Sequence, residues 1–441
     1  MSNPRTLLRI LGLGFGIAVV IGGTIGVGIL RTPGTVVARV GSEPLALALW
    51  VFGGAYSLLG AVALAELGTM MPEAGGYLVY ARRAFGPAVG FAVGWADLLV
   101  QCSALAYLSI AVGELTASLA PGFGPPKGLA LATLLFFALL HWAGLRLSSR
   151  AQNAMSALKA IGFVGLALAC LTAAPRGLHD AAGISSRALV APTGMKLVFA
   201  IVLGFQLVIG TYGGWAGAIY FTEEDTDPAL HLPRALIGGV AILAAIYLLV
   251  NVSLFAVLPA ARLAMSTLPA ADAAEVVFGG RAGEVITLLS IVSLLGIINP
   301  ILLIATRIVF ALGRQRDRAG RVAAVSERGT PETALVIVTA VAVSLVATGT
   351  FQKLFAMTAF LISAVYAVAI VALMALRRRE PGIRRPFRAW GYPWSAWLVL
   401  AGSVAFLAGA VVSDGANSAA ALLLLSLSWP ARRLFGPQPS S

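Results

Sequence analysis

The 441-residue chain is poor in charge. Only 11% of its residues are Asp, Glu, Lys or Arg, against about 25% in an ordinary soluble domain. A disordered chain is excluded, because disorder needs high charge and little apolar surface. Cysteine is nearly absent. Cys102 and Cys170 lie inside apolar runs, which leaves no disulfide framework and no thiolate metal spacing. Histidine is scarce as well. His141, His179 and His231 are too scattered for a ligand cluster, so no metal is expected. The chain has neither a glycine-rich phosphate loop nor a Gly-x-Ser-x-Gly elbow, so nucleotide and hydrolytic chemistry are not expected. With no nucleophile, base or metal constellation, an enzyme and a cofactor are both unexpected.

What fills the chain is apolar. Hydrophobic residues make up 59% of it, and the mean hydropathy is +0.92. A soluble protein so composed would expose large apolar patches, so the chain reads as an all-α, polytopic membrane protein whose partner is the lipid bilayer. A spanning helix takes about 20 apolar residues. Twelve candidate spans run near 10–38, 44–71, 86–119, 126–142, 149–174, 196–222, 232–258, 283–313, 333–349, 354–376, 392–413 and 416–430. No polar stretch is long enough for a separate soluble domain, so residues 1–441 read as one membrane domain. The first span is longer than the apolar core of a secretory signal, about 7–15 residues, and is expected to be retained. The net charge of +13 does not point to nucleic acid, because the basic residues sit in loops between apolar runs. With the N-terminus inside, inner loops hold 20 Lys and Arg and outer loops hold 9. That excess places both termini in the cytoplasm.

Two spans carry too much glycine for an unbroken helix. Span 1 contains IGGTIGVGIL from Ile21, and span 6 contains IGTYGGWAG from Ile209. Each interior Gly costs a helix about 1 kcal/mol relative to Ala. The clusters recur about 188 residues apart, separated by an odd number of spans, as expected of an inverted repeat with broken helices at its binding site. The repeats are placed at about 10–174 and 196–376, with two peripheral helices at about 392–430. Close helix packing at small residues is the competing explanation for glycine in a span.

At these residues the sequence resembles the amino acid–polyamine–organocation superfamily of permeases, nearest in motif to its L-type amino acid transporter branch. The carriers are GVGILRTPG at Gly26–Gly34, ELGTMMPEAGGYLVYARRAFGP at Glu66–Pro87, YGGWAGAIYFTEE at Tyr212–Glu224, SLLGIINPILLIATRIVFALGR at Ser293–Arg314 and RRPFRAWGYPW at Arg384–Trp394. The resemblance implies a LeuT-like fold: a five-plus-five inverted repeat with helices 1 and 6 broken, and amino acid as substrate. It implies that the N–H groups of Val27 and Gly28, beside Gly26, hold the substrate carboxylate. The carbonyls of Thr24, Gly210 and Gly213 would hold its ammonium, and Tyr212 and Trp215 would line the pocket. Half-helix ends supply such groups without charged side chains. Many relatives have Ser at the place of Val27 and an aromatic at the place of Gly210. Neither broken stretch carries an acid, which favours neutral substrates.

Lys159 lies deep in span 5, about ten residues past Arg150, or about 15 Å along a helix. A charge at mid-bilayer costs about 2.5–3.5 kcal/mol, so Lys159 is expected to be paired or functional. In relatives a Lys here takes the region where sodium-coupled members bind their cation. Lys159 is thus the coupling residue, as a fixed stand-in for sodium or as a proton carrier, and transport is expected to be sodium-independent, by proton symport or exchange. Among the other charges, Glu66 and Arg307 read as structural pairs, Glu223 and Glu224 as a gate latch or a solvated loop, and Asp97 as a second proton site or a residue near water. Ser290, Ser293 and Asn299 are candidates for the surroundings of Lys159. Trp95, Tyr107, Phe355 and Phe360 could line a pocket or a gate but carry no motif, and single aromatics in spans are more often packing or interface residues. The rival readings are a permease for amines or polyamines and a non-transporting amino acid sensor or partner subunit.

Overall fold

An apolar chain in a bilayer must pair its backbone groups internally, and helices do so within each segment. The computed structural model describes residues 6–173, 191–315, 320–349 and 351–435. Its helices are α1 Leu13–Thr24, α2 Gly28–Val40, α3 Glu43–Met70, α4 Tyr77–Phe85, α5 Pro87–Leu119, α6 Pro126–Trp142, α7 Leu145–Ala173, α8 Met195–Tyr212, α9 Pro228–Val257, α10 Ala260–Met265, α11 Pro269–Phe278, α12 Ala282–Arg314, α13 Glu332–Thr348, α14 Phe351–Arg379, α15 Trp394–Ser413, α16 Gly415–Ser426 and α17 Ser428–Phe435. A 3₁₀ stretch, Trp215–Phe221, follows α8. Among the described residues there is no strand, and Leu11 and Asp225 form an isolated parallel bridge.

Helix starts follow local chemistry. The Ser42 hydroxyl accepts from Leu45 N–H before α3, and the Asp227 carboxylate accepts from Leu230 N–H before α9. Proline occupies the first turn of α3, α5 and α9, where its missing N–H costs nothing. Among the described residues, eight helices are long and apolar enough to span a membrane, or nine when the bent pair α1 and α2 counts as one span. The other three expected spans correspond to α6 and α13, with 17 residues each, and α16, with 12. All three fall short of about 20. Glycine-led breaks interrupt the first and sixth spans where the sequence places them.

The repeat shows in helix lengths. In chain order α3, α5, α6 and α7 have 28, 33, 17 and 29 residues, and α9, α12, α13 and α14 have 30, 33, 17 and 29. Corresponding members of the two sets pack together, α3 against α9 and α5 against α12. The largest fully buried side chains include Trp50, Tyr80, Lys159, Tyr212, Tyr220, Tyr247 and Arg307. Several of these cluster near the two breaks. Phe355 lies outside the described side chains.

Candidate functional site

The first break opens where α1 gives way to extended backbone at Ile25 (ψ 110°). After two residues α2 begins, bent from α1 by 51°. The first N–H groups of α2 have no acceptor inside the helix, and Val27 precedes it without a side-chain cap. The second break lies at Gly213 and Gly214. Gly214 has φ +112°, a conformation that disfavours any residue with a Cβ. A Cβ there would also run into the Gly23 carbonyl. The two breaks therefore meet backbone to backbone, and glycine permits the approach. Gly26, Val27, Thr211, Gly213 and Gly214 are partly accessible, and Gly28 and Gly210 are exposed. Ile25, Ile29 and Leu30 beside them are buried.

A row of polar side chains on α7 serves the carbonyls of α1. Ser156 Oγ donates to Ala18 O at 2.7 Å and Gln152 Nε2 to the same oxygen at 3.1 Å. Lys159 Nζ donates to Gly22 O at 2.7 Å, Ile25 O at 2.9 Å and Ser293 O at 2.9 Å. Ser293 Oγ also donates to Ile25 O, at 2.8 Å. Lys159 is fully buried, and its ammonium ties the end of α1 to α12. A Cβ on Gly296 would stand 2.6 Å from Lys159 Cε, so glycine clears its path. Asn299 extends the network. Its amide donates to Gln152 Oε1 at 2.7 Å, and its Oδ1 lies 2.9 Å from His141 Nε2. Ser290 bonds its own helix at Ile286 O.

The hydroxyl of Tyr247 on α9 lies 3.2 Å from Thr24 O and 3.1 Å from Thr211 O, so it spans both broken helices. No motif marks this residue, and a lone aromatic in a span gives the sequence reader no signal. Tyr212 is fully buried and donates to Trp50 O at 3.2 Å. Its ring lies 4.9 Å from that of Tyr247 and 6.0 Å from that of Trp50. Trp215 stacks on Tyr366 at 6.1 Å, with 20° between the planes. Both motif aromatics flank the second break and pack against rings of α3, α9 and α14. Trp95 bonds Leu424 O at 2.9 Å, away from the breaks. Phe360 is buried in the core, and Tyr107 is half-buried on α5.

The bundle end that carries the first residues is latched. Leu11 and Ile10 donate backbone bonds to Glu224 O, each at 3.0 Å, and Thr226 N returns one to Leu11 O. Arg307 makes a two-pronged ion pair with Glu224 at 3.0 and 2.8 Å, and both side chains are at most 1% exposed. Burial pushes the Glu224 carboxyl above the ordinary range, and the guanidinium offsets part of that rise. Arg314 pairs with Glu223, which also accepts from Ala74 N–H. Nearby, Glu66 pairs with Arg377 and Arg385. Among the described residues no group of His, Cys, Asp and Glu could hold a metal.

The sequence has counterparts in known proteins. A family model described as amino acid permease matches residues 16–426. The serine/threonine exchanger SteT of Bacillus subtilis (strain 168) is 28% identical over 429 residues, 96% of either chain. The human b(0,+)-type amino acid transporter 1 is 29% identical over 400 residues, covering 88% of this chain and 80% of the relative. The mouse Asc-type amino acid transporter 1 is 27% identical over 407 residues, 88% and 74% of the two chains.

Proposed function

The chain belongs to the amino acid permease family, and from that premise we propose that it carries neutral amino acids across the cell membrane by alternating access, without sodium. The observation that carries this reading is the paired break. Backbone N–H groups at the start of α2 suit a carboxylate, and carbonyls around Gly210–Gly213 suit an ammonium. Neither Ile21–Leu30 nor Ile209–Gly217 contains an acidic side chain that would select a cationic substrate. Gly210 leaves room where a side chain would stand, and serine and threonine are the first candidates by likeness to the bacterial exchanger. The Lys159 ammonium already satisfies three carbonyls, which supports sodium independence. With both termini in the cytoplasm, the latch of Glu224 and Arg307 closes the inner side.

Uptake of a labelled neutral amino acid panel into proteoliposomes tests the reading. Serine or threonine uptake is expected to be unchanged when choline replaces sodium. Entry only into amino-acid-loaded vesicles means exchange, whereas gradient-driven entry into empty vesicles means proton symport. Flux of amines alone, or binding of amino acids without flux, sinks the proposal.

A further inference from the structure

Three acidic side chains are buried among the described residues: Glu66, Asp97 and Glu224. Glu66 and Glu224 face arginines. Asp97 does not. It is 2% exposed, on α5 ten residues past Pro87, about 15 Å along the helix. Its Oδ1 accepts from Gln101 Nε2 at 3.0 Å, and its Oδ2 lies 2.6 Å from the Tyr220 hydroxyl. Tyr77 of α4 and Tyr366 of α14 complete the titratable groups around it. No Lys, Arg or His from α4, α6, α12, α13, α14, α16 or α17 bonds to it among the described residues; on α4 and α14, Arg82 is committed to Glu73, Arg83 to Glu380 and Arg377 to Glu66. On α12 and α6, Arg307 is committed to Glu224, Arg314 to Glu223 and His141 to Asn299.

Tyr220 belongs to the 3₁₀ stretch beyond the second break, and that stretch leads directly into the Glu223–Glu224 latch. An opening of the latched end that moves this stretch draws the Tyr220 hydroxyl away from Asp97. The Asp97 carboxylate would then keep Gln101 as its donor and lose Tyr220. An ionised carboxylate in apolar surroundings suffers from such a loss far more than a neutral carboxyl does. Opening and protonation therefore favour each other, and by linkage the coupling is reciprocal.

We propose that Asp97 is a proton-binding site and that a proton crosses with each substrate molecule. The proposal rests on the transport reading above. Asp97 takes up one proton from the outer side as carboxylate becomes carboxyl, and gives up the same proton on the inner side. Tyr220 keeps its own hydroxyl proton, and the only bond made and broken is Asp97 O–H.

The test uses the full-length protein in liposomes with a trapped pH-sensitive dye, the membrane potential clamped and labelled serine outside. Wild type is expected to acidify the lumen as serine enters, with uptake several-fold faster at pH 5.5 than at pH 7.5. Asp97→Asn is expected to lose both the acidification and the pH dependence. Tyr220→Phe is expected to displace the midpoint of the pH profile, which a purely structural contact would not do. If Asp97→Asn does not fold, wild type and Tyr220→Phe decide the matter. Serine flux with no dye response and a flat pH profile overturns the proton site and leaves transport standing. A proton signal surviving in Asp97→Asn overturns the assignment to that residue. No flux of any neutral amino acid in wild type overturns the transport reading, and this proposal with it.

Discussion

Replacing Lys159 by alanine removes the donor from three carbonyls at once. Their fates differ. Ile25 O keeps the Ser293 hydroxyl at 2.8 Å, whereas Gly22 O and Ser293 O lose the ammonium. Ser293 O keeps the N–H of Ile297 within α12, so the one acceptor left orphaned, Gly22 O, costs about 1–3 kcal/mol. Relief from burying an ammonium offsets this, since an intramembrane charge costs about 2.5–3.5 kcal/mol on insertion scales. The end of α1 should loosen where the ammonium tied it, although the rest of the bundle holds. If only about 1.4 kcal/mol of that loosening must be reversed on binding, affinity falls tenfold. Serine binding by scintillation proximity, with thermal unfolding in detergent alongside, measures both consequences. Expected are at least a tenfold weaker dissociation constant and a folded protein of little-changed thermal stability. Native affinity in a folded Lys159→Ala would refute the view that the ammonium holds the break.

Gly214→Ala places a side chain at φ +112° and against the Gly23 carbonyl. The backbone strain alone is about 1–2 kcal/mol, and a fall in both thermal stability and transport is expected, whereas Gly238→Ala, with open space around it, serves as the neutral control. Arg307→Met leaves Glu224 buried and unpaired, at a cost of about 3–5 kcal/mol. The double variant Arg307→Met with Glu224→Leu should recover most of that loss in detergent unfolding; equal destabilisation of single and double variants contradicts the pairing. Tyr247→Phe removes the hydroxyl shared by Thr24 O and Thr211 O, worth about 1–3 kcal/mol. Equilibrium binding is expected to weaken at least several-fold, and unchanged binding would mean that the hydroxyl does not position the breaks.

The parts of the fold legible in the sequence are those that glycine and hydropathy report. The clusters at Ile21–Leu30 and Ile209–Gly217 announce broken helices because each interior glycine weakens a helix, and apolar length announces spans. Lys159 stands out by depth alone. The rest depends on which side chains meet across helices. The motif marks Tyr212 and Trp215 as pocket residues, and which rings they meet, Trp50, Tyr247 and Tyr366, is a matter of rotamer and neighbour that spacing does not encode. Tyr247 carries no motif, and its place is set by the packing of α9 against α1. The short helices α10 and α11 read as loop in sequence, because their stability comes from burial against α2 and α12 and little from length. The 3₁₀ winding after Gly214 was equally invisible, since 3₁₀ and α-helix share one apolar pattern over seven residues.

The polar row between α7 and α1 has a mechanical meaning. Gln152, Ser156 and Lys159 follow one another by four and three residues, and the carbonyls of Ala18, Gly22 and Ile25 repeat the same steps. Yet the bonds are not one to one: Gln152 and Ser156 converge on the Ala18 carbonyl, and Lys159 divides between Gly22 and Ile25. A small slide of α1 along α7 breaks all four together. The first helix is thereby bound to travel with α7 as one body.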